Sequence, residues 1–320
     1  MNSGHASLPQ VSVVIATRNR VEWLQQCVDS VRNQQGVSHE LIIVDDHSDV
    51  PAARQLIDFY RRTGGVRVRQ LDQHSERSVA RNHGLAMARA DYVMFLDDDD
   101  LLWPRSLHKL LGALEARPGV VAAVGARWEV FCTERYERRA AHPRRLRCRS
   151  ILDELQFGWS AVSGQNLYRT SAVREVGGFG AIIPCEDRLL WMQVARCGKV
   201  VLLPDIVMSY HYHSAQSRHA GIVKLRDSMV RTVVRDMPKS KRRRALTLRA
   251  SGRLLELAEN KISSGHALIG LKLAAQALLV SPRIFLSPLI GEWVLRRLAG
   301  RLVRRVIPAK SIDQDATKPH

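Results

Sequence analysis

The sequence predicts an α/β protein: a mostly parallel sheet with helices on both faces, followed by a basic α-helical region. Three observations lead there. Short apolar runs rich in β-branched residues recur through the first two-thirds of the chain. Segments with helical apolar spacing separate them, the alternation expected of βαβ units. Charge then gathers at the far end, where residues 221–320 carry 21 Lys/Arg against 7 Asp/Glu, or +14 of the total +18.

The elements follow in order. Val11–Ala16 (VSVVIA) reads as a buried strand, and Val21, Leu24, Val28 and Val31 recur at helical spacing. Leu41–Val44 (LIIV) is a second strand, Ala52–Arg62 a helix, and Val66–Leu71 an alternating third strand. Glu76–Arg89 is helical and Tyr92–Leu96 (YVMFL) is a fourth strand. Pro104 suits the first turn of the next helix, and Val120–Val124 is a fifth strand. Arg135–Arg149 is Arg-rich and poor in apolar residues, so it reads as an exposed excursion or flexible loop. Beyond Ser217 the pattern turns helical and basic. The organisation expected is a tail (1–8), an α/β domain (9–217), a basic helical region (218–310) and a second tail (311–320).

Composition narrows the class. With 45% apolar residues in 320, a sizeable core can be buried and global disorder is excluded. The cysteines (Cys27, Cys132, Cys148, Cys185, Cys197) are odd in number and form no CxxC pair, which argues against a disulfide scaffold or zinc site and fits a reducing compartment. The start, MNSGHASLPQ, lacks a signal-peptide pattern. No apolar run reaches the roughly 20 residues of a membrane span. The expectation is a cytoplasmic protein, with room for peripheral contact at the inner face of the plasma membrane.

Parallel sheets bind ligands beyond the carboxyl ends of their strands, and three ends carry suggestive groups. The first gives Thr17-Arg18-Asn19-Arg20, the second Asp45-Asp46, the fourth Asp97-Asp98-Asp99-Asp100. Adjacent carboxylates repel unless solvated or neutralised by a cation. Hard divalent cations take oxygen ligands, with Mg²⁺ using one or two carboxylates plus substrate phosphates. Plainer readings stand beside this one. The tetrad can be a solvated loop capping the helix near Pro104, Asp45-Asp46 a turn, and Arg81-Asn82 a surface pair.

The segments VSVVIATRNR, LIIVDDHS, ARNHGLAMARADYVMFLDDDD and VGGFGAIIPCEDRLLW, in that order across about residues 9–215, resemble family 2 glycosyltransferases of the Rossmann-like GT-A fold. The resemblance implies roles residue by residue. Thr17 stands where the first loop touches the nucleotide. Asp46 stands where a carboxylate accepts a hydrogen bond from the base, commonly uracil N3, and Arg81 where an arginine also reaches the base. Asp97 and Asp99 fill the acidic positions of DxD, toward the ribose or the metal shell and the metal respectively, with Asp98 in the variable middle on the nucleotide-sugar side. Asp187 stands where the family keeps its catalytic base. Glu186 orients Asp187 or the acceptor, or is simply the N-terminal acid of helix Asp187–Arg196. Gly177-Gly178-Phe179 supplies a tight turn that aims the base. Gly164, in Ser163–Asn166, lines a donor-sugar or acceptor pocket or makes a plain turn, and Trp103 joins it as an acceptor-side candidate. Tyr210-His211-Tyr212-His213 with Ser217 is similar to the family's Y-R-x-H-x-x-x-S segment, so His213 reaches the metal or diphosphate unless it is structural.

The chemistry accounts for these residue types. A divalent cation, Mg²⁺ or Mn²⁺, neutralises the charge developing on a diphosphate leaving group. A carboxylate takes the proton of the acceptor hydroxyl, and in-line attack at an oxocarbenium-like centre inverts it. The implied donor is a nucleotide sugar, UDP-linked by default. The implied acceptor is a glycan or lipid-linked sugar in cell-surface polysaccharide assembly. The QxxRW element of processive synthases is absent, since Trp191 follows Leu190, which favours single-sugar transfer. In the basic region Leu289, Trp293, Leu298, Leu302 and Val306 mark an apolar stripe among arginines, suited to an anionic membrane surface or to packing on the catalytic domain. Nucleic acid is not expected, because no stacking platform or binding motif accompanies the charge. Two other classes remain open: a sugar-nucleotide pyrophosphorylase, which would normally place a Gly-rich loop where TRNR stands, and a non-enzymatic basic adaptor.

Overall fold

A computed structural model of the chain describes residues 8–132, 136–139, 146–157, 162–180, 185–213 and 222–281. They fall into two compact units. The first comprises the described residues up to 154 and 162–237; the second holds residues 155–157 and 238–281.

The first unit opens with the alternation expected: β1 (Val11–Thr17), α1 (Glu22–Arg32), β2 (His39–Asp45), α2 (Pro51–Thr63), β3 (Val66–Gln70), α3 (Arg77–Met87) and β4 (Tyr92–Asp97). There follow β5 (Leu101–Leu102), α4 (Ser106–Glu115), β6 (Val120–Phe131), β7 (Tyr136–Arg139), β8 (Arg147–Arg149), α5 (Ile151–Phe157), β9 (Asn166–Arg169), α6 (Thr170–Glu175), α7 (Glu186–Cys197), β10 (Lys199–Tyr212) and α8 (Ile222–Arg235). One sheet runs β3-β2-β1-β4-β9-β6-β10-β5, with β7 on β6 and β8 on β10. Strands β3, β2, β1 and β4 are mutually parallel, and β6 is parallel to β10. Antiparallel β9 joins these halves, so the sheet is mixed.

Alternation along the strands explains the layering, because successive side chains point to opposite faces. Val11, Val13 and Ile15 share a cluster with Leu24, Val28 and Val31 of α1, Ile57 and Tyr60 of α2, and Leu107 and Leu110 of α4. On the other face, Val14 lies so close beneath Gly84 of α3 that a Cβ there would collide with it. Phe95 on that side meets Phe179 edge-on, ring centroids 4.7 Å apart.

Two stretches differ from the sequence reading. The Arg-rich excursion contains strands β7 and β8, each pairing along one edge with a longer strand, β7 with β6 and β8 with β10. A strand paired on one side needs no continuous apolar run, so its charged sequence hides it. Pro104 lies before α4 rather than in its first turn, and Arg105 leads into the helix with φ 61°. The basic, apolar-striped segment at Leu289–Val306 lies outside the described residues.

Helix α8 belongs to the first unit and buries Met229, Val230, Val233 and Val234. The second unit is built from α9 (Lys239–Ser263) and α10 (Ala267–Val280), joined by Gly265 at φ 94°. Ser251 of α9 donates to the Ala277 carbonyl of α10 (2.8 Å). Helix α10 leaves Leu268, Ile269, Leu271 and Leu279 exposed. Among the described residues no helix is long and apolar enough to cross a membrane.

Candidate active site

The carboxyl ends of β1, β2 and β4 open into one cavity of about 840 Å³. Thr17, Asp46, Arg81, Asp97, Asp98, Asp99, Glu186 and Asp187 all line it. Acids far apart in sequence therefore meet at one edge of the sheet. Gly164 and Trp103 are not in its lining. Gly164 (φ +81°) presses on Leu96 and Met208, where a side chain would collide. The Trp103 indole donates to Ser209 Oγ (2.9 Å).

The acid pair after β2 divides its work. Asp45 is fully buried and accepts from Ser48 Oγ (2.5 Å) and Gln70 (3.0 Å), which holds the turn. Asp46 faces the cavity, accepts from Ser75 N (2.7 Å) and sits 2.7 Å from His74 Nδ1. The turn reading thus fits Asp45, while Asp46 stands in the lining of the cavity.

The tetrad after β4 is similarly divided. Thr17 Oγ1 donates to Asp98 Oδ2 (2.7 Å). Arg20 Nη1 donates to Asp99 Oδ2 (3.0 Å), and His213 Nε2 lies 3.0 Å from the same oxygen. The His213 ring stacks on Trp23, centroids 5.3 Å apart. Asp100 is completely buried; His211 N donates to its Oδ1 (3.1 Å), while its Oδ2 has no partner among the described residues. Burial, then the charges of Asp99 and Asp97, push the Asp100 carboxyl well above its ordinary range. Burial and Asp99 push Asp98 up to about 7. The acids do not cap α4, which has no acidic residue in its first turn.

Asp97, Asp99 and Asp100 each offer an oxygen within 4.8 Å of the others. An all-oxygen set with a buried, unpartnered acceptor has the chemistry of a hard divalent cation site. His213 in this arrangement partners Asp99 and is not a member of the three-acid cluster.

Arg81 links the two halves of the site. Its buried guanidinium pairs with Asp97 at the end of β4 and donates to Glu186 Oε1 (2.9 Å) at the start of α7. Burial opposes its charge, but Asp97 and Glu186 more than offset that and hold it protonated. Its neighbour Asn82 receives Phe179 N (2.8 Å) and donates to Phe179 O (2.9 Å), clamping the glycine turn. Gly178 has φ +72°, and a Cβ there would strike Asn82. The Arg81-Asn82 pair is therefore an internal brace of the site. Asp187 follows, and burial together with the Glu186 charge pushes its carboxyl up to about 6.

Strain also marks this edge. Among the described residues, Asn19, His47, Glu76 and Cys185 have φ of 57°, 58°, 73° and 86°. Each lies in a loop beside the cavity. Such backbone is costly for non-glycine residues and concentrates at functional sites.

Sequence reasoning left several lining residues unassigned. Arg20, which lines the cavity, stands inside the Thr17–Arg20 segment, and Asp100, buried behind it, ends the acidic tetrad. His74 stands beyond β3, and parallel pairing brings that strand end to the same edge. Arg127 and Phe131 of β6 carry no motif, and Tyr210 and Tyr212 of β10 stand in the segment similar to Y-R-x-H-x-x-x-S, where only His213 received a role.

The class that this fold and site define is the GT-A glycosyltransferase. The chain belongs to glycosyl transferase family 2, whose family model matches residues 12–177. Asp187 and His213 lie beyond that match. Over 107 residues the chain is 45% identical to the poly(ribitol-phosphate) beta-N-acetylglucosaminyltransferase TarP of Staphylococcus aureus, covering 32% of each chain. It is 31% identical over 117 residues to the succinoglycan biosynthesis protein ExoO of Rhizobium meliloti, covering 36% of this chain and 32% of the relative. The matched stretch thus spans about a third of either relative. A solved structure of S. aureus TarS in complex with UDP-GlcNAc is similar in fold (TM-score 0.62, 18% identity), covering 84% of this chain and 79% of that one.

Proposed function

We propose that the protein is an inverting, divalent-metal-dependent glycosyltransferase that moves one sugar from a UDP-sugar to a hydroxyl of a glycan or lipid-linked acceptor in cell-surface polysaccharide assembly. The observation that carries this is the convergence of Asp46, the Asp97–Asp99 acids and Asp187 on one cavity. Family membership supports the transfer reaction. The names of TarP and ExoO support a polysaccharide setting, and the TarS complex makes UDP-GlcNAc the first donor to test.

Asp46 and Thr17 serve the nucleotide, and Arg81 braces the acids around it. Asp97, Asp99 and Asp100 would hold Mg²⁺ or Mn²⁺. Such a cation, when bound, supplies Lewis acidity toward the diphosphate. Asp187 accepts the proton of the acceptor hydroxyl as that oxygen attacks the anomeric carbon from the face opposite the leaving group. One base and one displacement give inversion. Glu186, held by Arg81, fixes the start of α7 and keeps the Asp187 carboxyl basic enough for this work.

The basic unit serves an anionic membrane surface. Lys239 and Lys241–Arg244 open α9, and the exposed leucines of α10 provide apolar area. Sedimentation with vesicles containing anionic lipid, reversed by salt, supports this contact; binding indifferent to lipid charge refutes it. The enzymatic reading is tested by following UDP release from UDP-GlcNAc and other UDP-sugars with purified full chain, with Mn²⁺ or with chelator. Donor turnover equal in both conditions refutes the metal dependence. No binding of any UDP-sugar refutes the donor class.

A further inference from the structure

The cavity changes character along the strand order. Asp46 and His74 stand beyond β2 and β3, the acids stand beyond β4, and a third wall comes from β6 and β10. On that wall the register pairs Phe131 with Tyr136 on one side and Tyr212 on the other. The three rings form a parallel row, centroids 4.3 and 4.4 Å apart, tilted by 6° and 10°. Tyr210 meets Tyr212 edge-on at 4.9 Å. Buried Glu129 pins the row: its Oε1 accepts from Tyr212 (3.1 Å) and from Arg127 Nη2 (2.8 Å). The Arg127 guanidinium lies over the Tyr210 ring, 5.5 Å from its centroid.

Cross-strand aromatic pairs can serve a sheet alone. Here Phe131, Tyr210 and Tyr212 also line the cavity and remain partly exposed, on the far side of the acids from Asp46. Tyr210 lines the same cavity as Asp97 and Asp187, which places this wall beside the reacting groups. A pyranose offers an apolar C–H face ringed by hydroxyls. Aromatic rings interleaved with a phenol and a fixed guanidinium complement it. The Arg127 charge is matched by Glu129, so the wall suits an uncharged sugar better than a phosphorylated polyol.

We propose that Phe131, Tyr210 and Tyr212, with Arg127, form the subsite for the acceptor's sugar ring, and that this ring is an uncharged pyranoside. The inference rests on the UDP-sugar transferase reading above.

The test uses the full chain with UDP and Mn²⁺. Saturation-transfer NMR is run with the methyl β-glycosides of glucose, galactose and N-acetylglucosamine, and with ribitol 5-phosphate. At least one pyranoside is expected to receive saturation. Its affinity is expected to fall about tenfold in Phe131→Leu/Tyr212→Leu, while calorimetric UDP affinity stays unchanged. Tyr212→Phe, which keeps the ring, is expected to lose less. If the double variant loses UDP binding, Phe131→Leu alone decides the matter at retained UDP affinity. Unchanged pyranoside binding in the variants, binding of ribitol 5-phosphate alone, or no pyranoside binding by a wild type that binds UDP overturns the proposal. Failure of the wild type to bind UDP overturns the transferase reading instead.

Discussion

Replacing Glu186 by Gln isolates what sets the basicity of Asp187. The Asp187 carboxyl is raised from 3.8 to about 6, by burial first and the Glu186 charge second. Only the carboxylate can accept a proton, so activity is lost as pH falls through that value. With a midpoint at about 6, roughly a tenth of the enzyme is active at pH 5 and nine-tenths at pH 7. In Glu186→Gln the like charge disappears, and Arg81 loses one of its two carboxylate partners. Both changes favour the Asp187 carboxylate, so the acidic limb of kcat/KM moves to lower pH. Burial persists and keeps it above 3.8. The assay is UDP release at saturating Mn²⁺ across pH 4.5–8, with Asp187→Asn as the companion. That variant is expected to lose about 10²–10⁴-fold in kcat, the usual contribution of a positioned base. A limb that stays in place or moves up in Glu186→Gln, or an Asp187→Asn enzyme with full activity, refutes the assignment.

Three more outcomes follow from the site. Arg81→Ala strands Asp97 and Glu186 without their shared cation, and chemical denaturation should show a loss of about 3–5 kcal/mol. Asp99→Asn should abolish the rise in melting temperature that Mn²⁺ gives the wild type, a rise that corresponds to about 2.7 kcal/mol at a hundredfold excess over Kd; an undiminished shift would move the cation elsewhere. Gly178→Ala forces a side chain into left-handed backbone against Asn82, so thermal unfolding should reveal a cost of at least about 1–2 kcal/mol.

Much of the nucleotide half was legible beforehand. β1, β2 and β4 are largely apolar on both faces, because helices cover both, so each reads as a hydrophobic run that ends where Thr17–Arg20, Asp45-Asp46 or Asp97–Asp100 begins. The later half hid itself. Strands β7 and β8 are charged and pair along one edge, and β9 is four residues between a turn and α6. Gly164 suits pocket lining or a plain turn and Trp103 an acceptor side; the structure sets Gly164 against Leu96 and Met208 and joins Trp103 to Ser209. Their residue types suit either role, and only neighbours distant in sequence discriminate.

The chain's own pattern of runs, turns and acids determined the α/β class and which strand ends carry chemistry, since burial periodicity and like-charge clustering are local properties. Tertiary structure decided the division of labour within each acidic pair. Asp45 turned inward to Ser48 and Asp46 outward; Asp98 was claimed by Thr17, and Asp100 was left with a bare oxygen. Neighbouring carboxylates are chemically alike, and what separates them is the partner that a fold delivers from far along the chain.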